Sequence, residues 1–152
     1  MPVTLRFSTS RVVDASPEEV WRVLGDFGTE HRWTRSVAHC ERDTAEVRVG
    51  TSRRCRLPRP LLGRSEVTET LTEYEPGRSL AYRLDGAAGP FASAASRWSL
   101  APTPEGRTAV TVEGAFEPRH WAARALVWPV AKPAIRRLAR GVVGELDAYL
   151  AR

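Results

Sequence analysis

After a first strand at residues 3–13, the apolar residues of this chain have a helical spacing at residues 20–27. They alternate from about residue 37 to residue 117 and return to a helical spacing near residue 120. Alternation places successive side chains on opposite faces of a strand. Short connections with proline or glycine join the alternating segments, and consecutive segments of this kind form hairpins. The pattern therefore predicts an α+β fold, with an antiparallel sheet between an early helical segment and a long terminal helix.

The predicted strands span residues 3–13, 37–43, 50–57, 65–75, 79–85, 92–101 and 107–117, and the terminal helix spans about residues 120–151. Residues 75–78 (E-P-G-R) have proline second and glycine third, which is the preference of a type II turn. Residues 57–63 are predicted to form a proline-stiffened connection with exposed leucines. Pro129 and Pro133 are predicted to kink or interrupt the terminal helix, because proline lacks a backbone N–H.

A helix predicted at residues 17–25 has the clearest local signal. Ser16 and Glu19 have the spacing of a capping box, in which each side chain accepts a hydrogen bond from the backbone N–H of the other residue. Pro17 suits the first helical position. The apolar residues that follow recur at helical spacing and are Val20, Trp21, Val23, Leu24 and Phe27. A short, irregular second helix or turn is predicted at residues 27–33.

The length of 152 residues predicts one domain, residues 1–152, that buries roughly 70% of its unfolded surface. The sequence has no charged and apolar leader and no apolar run of about 18 residues, so a cytoplasmic protein is expected. It also has no phosphate-cradling loop or dinucleotide fingerprint, and no cofactor is expected. The chain is expected to be a monomer or a homodimer.

The 23 basic and 18 acidic residues give a net charge of +5. Five arginines lie within a short stretch and could attract an anionic ligand, an acidic carrier protein or a nucleic-acid backbone; they are Arg53, Arg54, Arg56, Arg59 and Arg64. A solvated strand edge and loop is the simpler explanation of these arginines. Nucleic acid is not expected, because no recognition helix, RNA-binding signature or zinc-finger spacing accompanies the charge.

Cysteine and histidine usage predicts neither a disulfide nor a metal site. Cys40 and Cys55 lie on neighbouring predicted strands, but in a protein without an export signal two cysteines are expected to be free thiols. The three histidines, His31, His39 and His120, are scattered and lack the spacing of metal ligands.

Several segments together resemble the SRPBCC or START-like superfamily, and specifically its polyketide cyclase/dehydrase group. The resemblance begins with V-D-A-S-P-E-E-V-W-R-V-L-G-D-F and the following H-R-W, and continues through V-G-T at 49–51 and E-T-L-T-E-Y-E-P-G-R-S-L-A-Y-R-L at 69–84. It extends through R-W-S-L at 97–100 into the terminal helix. The resemblance implies a helix-grip fold, in which about seven strands curve around the terminal helix after two short helices. A cavity for apolar molecules is expected between the sheet and that helix.

Two functions follow from this expected cavity. The first is binding of a small hydrophobic molecule with cyclase- or aromatase-like action on a poly-β-ketone, presented by an acidic carrier protein that faces the arginine-rich strand. The second is a non-catalytic carrier or sensor of lipid, quinone or polyketide. A protein-interaction module that uses exposed leucines and tryptophans is a third possibility. A catalyst should have two polar groups converging inside the cavity, whereas a carrier should have a nearly apolar lining.

Three residues are candidates for acid–base catalysis. Glu69 has the inward phase of its strand, where burial would raise its pKa, unless the strand end is solvated or an arginine such as Arg53 or Arg97 pairs with it. Tyr82 could donate its hydroxyl to a ligand carbonyl, or be a buried tyrosine whose hydroxyl is satisfied by the backbone. His31 lies at one rim of the expected cavity, or is an ordinary surface histidine.

The expected ligand-binding residues include the inward side chains of the sheet, for which a cavity wall and a plain core have the same signature in sequence. The full set is Trp33, Arg53, Val67, Leu71, Leu84, Trp98, Leu100, Val112, Phe116, Trp121, Leu126, Val130 and Leu138. The tryptophan-rich segment around Trp121, Leu126 and Val130 could gate the cavity or touch a membrane surface. Alternatively, it could simply pack against residues 57–62.

Overall fold

The sheet predicted from the alternating segments is present in the structure, a computed structural model that describes residues 3–61 and 63–152. The strands within these ranges are β1 (Leu5–Val13), β2 (His39–Arg42), β3 (Ser52–Leu61), β4 (Arg64–Glu75), β5 (Ser79–Leu84), β6 (Phe91–Pro102) and β7 (Thr108–Pro118). They form one antiparallel sheet in the order β1-β7-β6-β5-β4-β3-β2. The predicted α+β architecture of strand, short helices, six strands and terminal helix is confirmed.

The capped helix is confirmed as α1 (Pro17–Leu24). The Glu19 N–H donates to the Ser16 hydroxyl, and the Ser16 N–H donates to the Glu19 carboxylate, so both bonds of the capping box are present. The side chain of Val20 is fully buried and joins the hydrophobic core. The predicted second helix is only a single 3₁₀ turn, Glu30–Arg32, so that prediction is confirmed in part.

The terminal helix is continuous, which differs from the predicted interruption. It begins as a π-helical segment, Ala123–Val127, and continues as α2 (Trp128–Leu150). Pro129 closely follows the π-helical segment, whose wider turn is the kind of irregularity that accompanies a helix distortion. Pro133 lies inside α2, and the helix continues past it. None of the helices in the described ranges is long and apolar enough to cross a membrane.

The two halves of α2 are held differently. In the carboxyl-terminal half, Val143 and Leu146 are buried in the same core cluster as the inward side chains of the sheet. Asp147 accepts a hydrogen bond of 2.9 Å from the N–H of Asp14, just after β1. In the amino-terminal half, large apolar side chains such as Val130 remain exposed. Trp128 of this half nevertheless packs on Phe91 and Phe116, and Arg136 donates to the Ser8 carbonyl, so both halves of α2 contact the sheet.

One connection matches its prediction and another does not. The turn at residues 75–78 is confirmed, since Gly77 has φ of 79° and the Arg78 N–H donates to the Glu75 carbonyl. The connection predicted at residues 57–63 is instead largely strand, because β3 extends to Leu61. Its pairing with β4 shifts register within this stretch, where the prolines cannot donate to the ladder. Leu62 lies outside the described residues.

Cys40 and Cys55 form a disulfide, so the expectation of free thiols was wrong. The two residues are directly opposite each other in the register of β2 and β3, with their Cα atoms 4.1 Å apart. Side chains of such cross-strand pairs project from the same face and lie in contact. The sequence predicted neighbouring strands but not this register. Disulfides are usual in oxidising compartments and rare in the cytoplasm. The cytoplasmic location expected from the sequence therefore remains a prediction.

Removal of the disulfide should lower the free energy of unfolding. Closing a loop between residues 15 apart in sequence limits the unfolded chain, and a loop of this size contributes about 3 kcal/mol. Urea unfolding with and without reductant measures the difference, and the Cys40→Ala/Cys55→Ala variant should match the reduced protein. Two thiols that react in the unfolded, unreduced protein would contradict the disulfide.

Candidate functional site

A buried arginine lies between two carboxylates beneath the concave face of the sheet. The guanidinium of Arg53, on β3, is 2.9 Å from the Glu69 carboxylate of β4 and also pairs with Glu30 of the 3₁₀ turn. The Arg53 side chain is only 8% exposed. The Glu30 carboxylate also accepts hydrogen bonds from the backbone N–H of Gly28. We call Arg53, Glu30 and Glu69 the ion cluster.

Two aromatic rings cover the guanidinium of the ion cluster. The central carbon of the Arg53 guanidinium is 4.2 Å from the centroid of the Phe27 ring and 4.5 Å from that of Tyr82. Planar guanidinium groups stack well on aromatic faces. Burial alone would lower the pKa of Arg53, but the carboxylates of Glu30 and Glu69 outweigh burial and raise it. Arg53 is therefore a permanent cation with its charge matched inside the protein.

Strand register explains how the cluster forms. Arg53 is directly opposite Glu69 in the pairing of β3 with β4, and Glu69 is directly opposite Leu84 in the pairing of β4 with β5. Pairing with Arg53 was one of the alternatives that the sequence left open for Glu69. The structure places the Glu69 carboxylate against the Arg53 guanidinium, which it shares with Glu30.

Tyr82 is held in its protonated form. Burial raises the pKa of its phenol, the nearby Glu69 carboxylate raises it further, and Arg53 partly opposes this change. At neutral pH the hydroxyl can donate or accept a hydrogen bond, but it does not act as a base. Glu69 and Tyr82, both predicted as catalytic, are therefore brought together at Arg53.

His31 lies elsewhere, against β2. Its Nδ1 accepts a hydrogen bond of 3.1 Å from the Cys40 N–H, and its ring centroid is 4.7 Å from that of His39. Partial burial lowers the pKa of His31, His39 and Arg32 lower it further, and Glu30 raises it. A neutral imidazole with its proton on Nε2 fits these contacts. The structure does not place His31 among the contacts of Glu69 and Tyr82.

Trp33 supplies a buried donor without a protein acceptor. The residue is only 7% exposed, and its ring lies edge-on to Trp98 with centroids 6.4 Å apart. Among the residues that the structure describes, no atom accepts a hydrogen bond from its indole Nε1. A buried donor left unpaired is unfavourable by about 1–3 kcal/mol. This N–H is thus suited to an acceptor that the protein itself does not provide.

An open groove of about 420 Å³ runs along one side of α2. It is lined by Ala134, Arg137, Leu138, Gly141, Val142 and Glu145. The Glu145 carboxylate accepts hydrogen bonds from the Thr34 hydroxyl and from the Arg35 N–H, at 3.2 and 2.8 Å. The segment that carries Trp33 therefore meets α2 at the Glu145 end of the groove. Val142 and Trp33 also belong to the same hydrophobic cluster.

The inward phase predicted for the sheet is correct for most of the expected wall residues. Leu71, Trp98 and Val112 are buried in the core cluster. Partly buried side chains occupy the remaining wall positions, Val67, Tyr82, Leu84, Leu100 and Phe116. Since tightly packed side chains fill much of this face, the enclosed cavity stays a prediction.

The tryptophan-rich segment reaches the interior through Trp128, whose ring packs on those of Phe91 and Phe116, but not through its three predicted ligand-binding residues. Trp121, Leu126 and Val130 are 73%, 66% and 75% exposed, so they are neither cavity-lining residues nor covered by residues 57–61. They precede the part of α2 that enters the core. Leu138 is also exposed, but it lines the groove.

The arginine-rich strand is only partly matched by carboxylates. Arg53 is inside the protein, and Arg54 pairs at 3.7 and 3.5 Å with Glu41 and Glu66. Arg64 donates hydrogen bonds to neutral backbone carbonyls, and Arg56 and Arg59 are exposed. The acidic carrier protein expected at this strand therefore stays a prediction.

Glu30 is the one member of the ion cluster that was not predicted from the sequence. The only available signal is its place between Phe27 and Trp33, two inward aromatic residues of a short irregular segment.

Within residues 3–61 and 63–152, no three histidine, cysteine, aspartate or glutamate side chains converge as metal ligands would.

Comparisons with known proteins agree with this architecture. The model of the family described as "Polyketide cyclase / dehydrase and lipid transport" matches residues 4–151. An uncharacterised protein of Bacillus thuringiensis is similar in structure, with a TM-score of 0.76 at 19% identity over 97% of this chain and 100% of that one. Ara h 8.0201 is also similar, with a TM-score of 0.76 at 12% identity over 98% and 99% of the two chains. None of the curated proteins compared with the chain matches it. At these identities the structural likeness shows the fold.

Tyr82 should make the protein less stable as the pH rises above about 10. Its pKa in the folded state is raised above the ordinary value of 10.0, so the unfolded chain loses its proton first. Stability is then fully present below pH 10 and falls at higher pH by up to about 1.4 kcal/mol per pH unit. The Tyr82→Phe variant should lose less stability, as measured by urea unfolding across the alkaline range. If the free energy of unfolding fell with pH equally steeply in Tyr82→Phe and in the wild type, Tyr82 would have the same pKa in the folded and unfolded states.

Proposed function

The chain belongs to the polyketide cyclase/dehydrase and lipid transport family, and from this premise we propose that it binds a small hydrophobic molecule with a hydrogen-bond acceptor, such as a carbonyl group. The observation that carries the proposal is the unpartnered, buried indole N–H of Trp33. The apolar side of α2 next to the Trp33 segment supports it further.

The groove and Trp33 would have different roles in binding. The groove volume of about 420 Å³ lies within the range typical of small-molecule sites, and Ala134, Leu138 and Val142 offer apolar contact. Burial of apolar ligand surface would supply most of the affinity, at about 25 cal/mol per Å². One hydrogen bond from Trp33 would add about 0.5–1.5 kcal/mol and fix the orientation of the ligand.

The ion cluster favours binding without turnover. The carboxylates of Glu30 and Glu69 are both engaged by the single positive charge of Arg53, and Tyr82 remains protonated at neutral pH. A general base needs a free proton-accepting group within reach of its substrate. A carrier or sensor of a lipid, quinone or polyketide is therefore the function that the geometry supports best.

A polyketide cyclase is the second candidate, and one observation favours it. The Tyr82 ring stacks on the Arg53 guanidinium, so a hydroxyl donor and a cation lie close together inside the protein. Such a pair could stabilise an enolate as a poly-β-ketone folds and cyclises. Turnover of a synthase-generated intermediate that is lost in Tyr82→Phe would favour this candidate over the carrier.

Binding of Nile red, an apolar dye with a carbonyl acceptor, tests the proposed site. Trp33→Phe keeps an aromatic ring at this position but removes the indole N–H donor. It should weaken binding roughly two- to tenfold, the value of one hydrogen bond. Leu138→Asp places a charge in the apolar groove and should weaken binding by about tenfold or more. Fluorescence titration gives both dissociation constants.

Leu61→Asp is the matched control, because Leu61 and Leu138 are exposed to nearly the same extent, 58% and 56%. This variant should bind the dye as the wild type does. Equal dissociation constants for the wild type, Trp33→Phe and Leu138→Asp would refute the proposed site. Native mass spectrometry of freshly purified protein would then identify a co-purified ligand, if one is bound.

A further inference from the structure

The net positive charge of the chain resides in one segment. Residues 118–144 contain six of the 23 basic residues and none of the 18 acidic ones. The rest of the chain has 17 basic and 18 acidic residues and is almost neutral. The six cations are Arg119, Arg124, Lys132, Arg136, Arg137 and Arg140. A charge this localised creates a directional field that attracts an anionic partner.

The same segment exposes an unusual number of large apolar side chains. We call them the terminal patch, which consists of Trp121, Leu126, Val127, Val130 and Leu138. These residues account for more than half of the large exposed apolar side chains among the described residues. On a helix, Val130 and Leu138 share one side with Ala134, and Arg137 borders that side. Arg137 is therefore a cation at the edge of the patch, whereas Lys132 and Arg136 project from the side of α2 that faces β1.

The cations of this segment are not neutralised by carboxylates. In the described part of the chain, Arg124, Lys132 and Arg137 have no side-chain hydrogen bond or ion pair. Arg136 and Arg140 donate to neutral backbone carbonyls of β1. The positive charge therefore remains available to an external partner.

We propose that the terminal patch docks on a membrane surface that contains anionic lipids. Interfacial helices have this combination, in which apolar and tryptophan side chains enter the headgroup boundary while lysine and arginine reach the lipid phosphates. Trp121 suits the headgroup level, where tryptophan is enriched. Each cation near such a surface adds about fivefold to binding.

Two other occupants fit the patch less well. A second copy of the chain would bring six more cations against the first six, and like charges repel. An acidic protein would satisfy the charge, but a strip of apolar side chains along one side of a single helix is the form suited to a planar interface. Membrane docking of the patch does not depend on the proposed binding of a small hydrophobic molecule. Leu138 nevertheless belongs both to the terminal patch and to the groove.

Flotation with lipid vesicles tests the proposal. The wild-type protein should bind vesicles of phosphatidylcholine with phosphatidylglycerol, bind those of phosphatidylcholine alone much more weakly, and dissociate as salt is added. Arg124→Gln/Arg137→Gln should reduce the partition coefficient roughly 25-fold, about fivefold for each charge removed. Trp121→Ser/Val130→Ser should reduce it by about tenfold or more.

Matched changes elsewhere on the surface serve as controls. Arg56→Gln/Arg59→Gln removes two exposed charges of β3, and Val49→Ser removes an exposed apolar side chain. Neither control should change binding by more than about twofold. The proposal is overturned if anionic vesicles do not bind the wild type, or if patch and control variants lose binding equally. Sedimentation that shows self-association through Trp121 and Val130 without vesicle binding would also overturn it.

Discussion

The buried pairing of Arg53 with Glu30 and Glu69 is the interaction on which the site depends. Removing a charge from water is strongly unfavourable unless an opposite charge and hydrogen bonds replace the water. Arg53 meets this condition through two carboxylates and two aromatic rings that come from separate parts of the chain. The pairing therefore fixes the segment after α1 against β3 and β4. Trp33 follows Glu30 closely in sequence, so its buried N–H is positioned by the same constraint.

The terminal helix α2 links the site to the surface. Val143 and Leu146 bury its second half, while Glu145 fastens it to the segment that carries Trp33. Trp128 holds its first half against the rings of Phe91 and Phe116. The same half presents exposed apolar side chains and cations without carboxylate partners. One helix therefore lines the groove and carries the terminal patch.

Periodicity predicted the fold well because it reports which face of an element is buried. The capping box at Ser16 located α1, and alternation placed Leu71, Trp98 and Val112 on the inward face of the sheet. Periodicity does not report which residue lies opposite on the next strand. Register decides that, and so the Arg53–Glu69 pair was only one of several alternatives. The Cys40–Cys55 disulfide was missed because the expectation of free thiols rested on the lack of an export signal and not on strand pairing. Glu30 was missed because a single 3₁₀ turn has no period to read.

The measurement that tests the central role of the ion cluster most directly is the free energy of unfolding of Arg53→Met beside that of Arg54→Met. These adjacent arginines of β3 both pair with two carboxylates, but Arg53 is 8% exposed and Arg54 is 65% exposed. Arg53→Met should lose about 3–5 kcal/mol, because it leaves two carboxylates without their buried counter-charge. Arg54→Met should lose less than about 1 kcal/mol. Similar losses in the two variants would contradict the account.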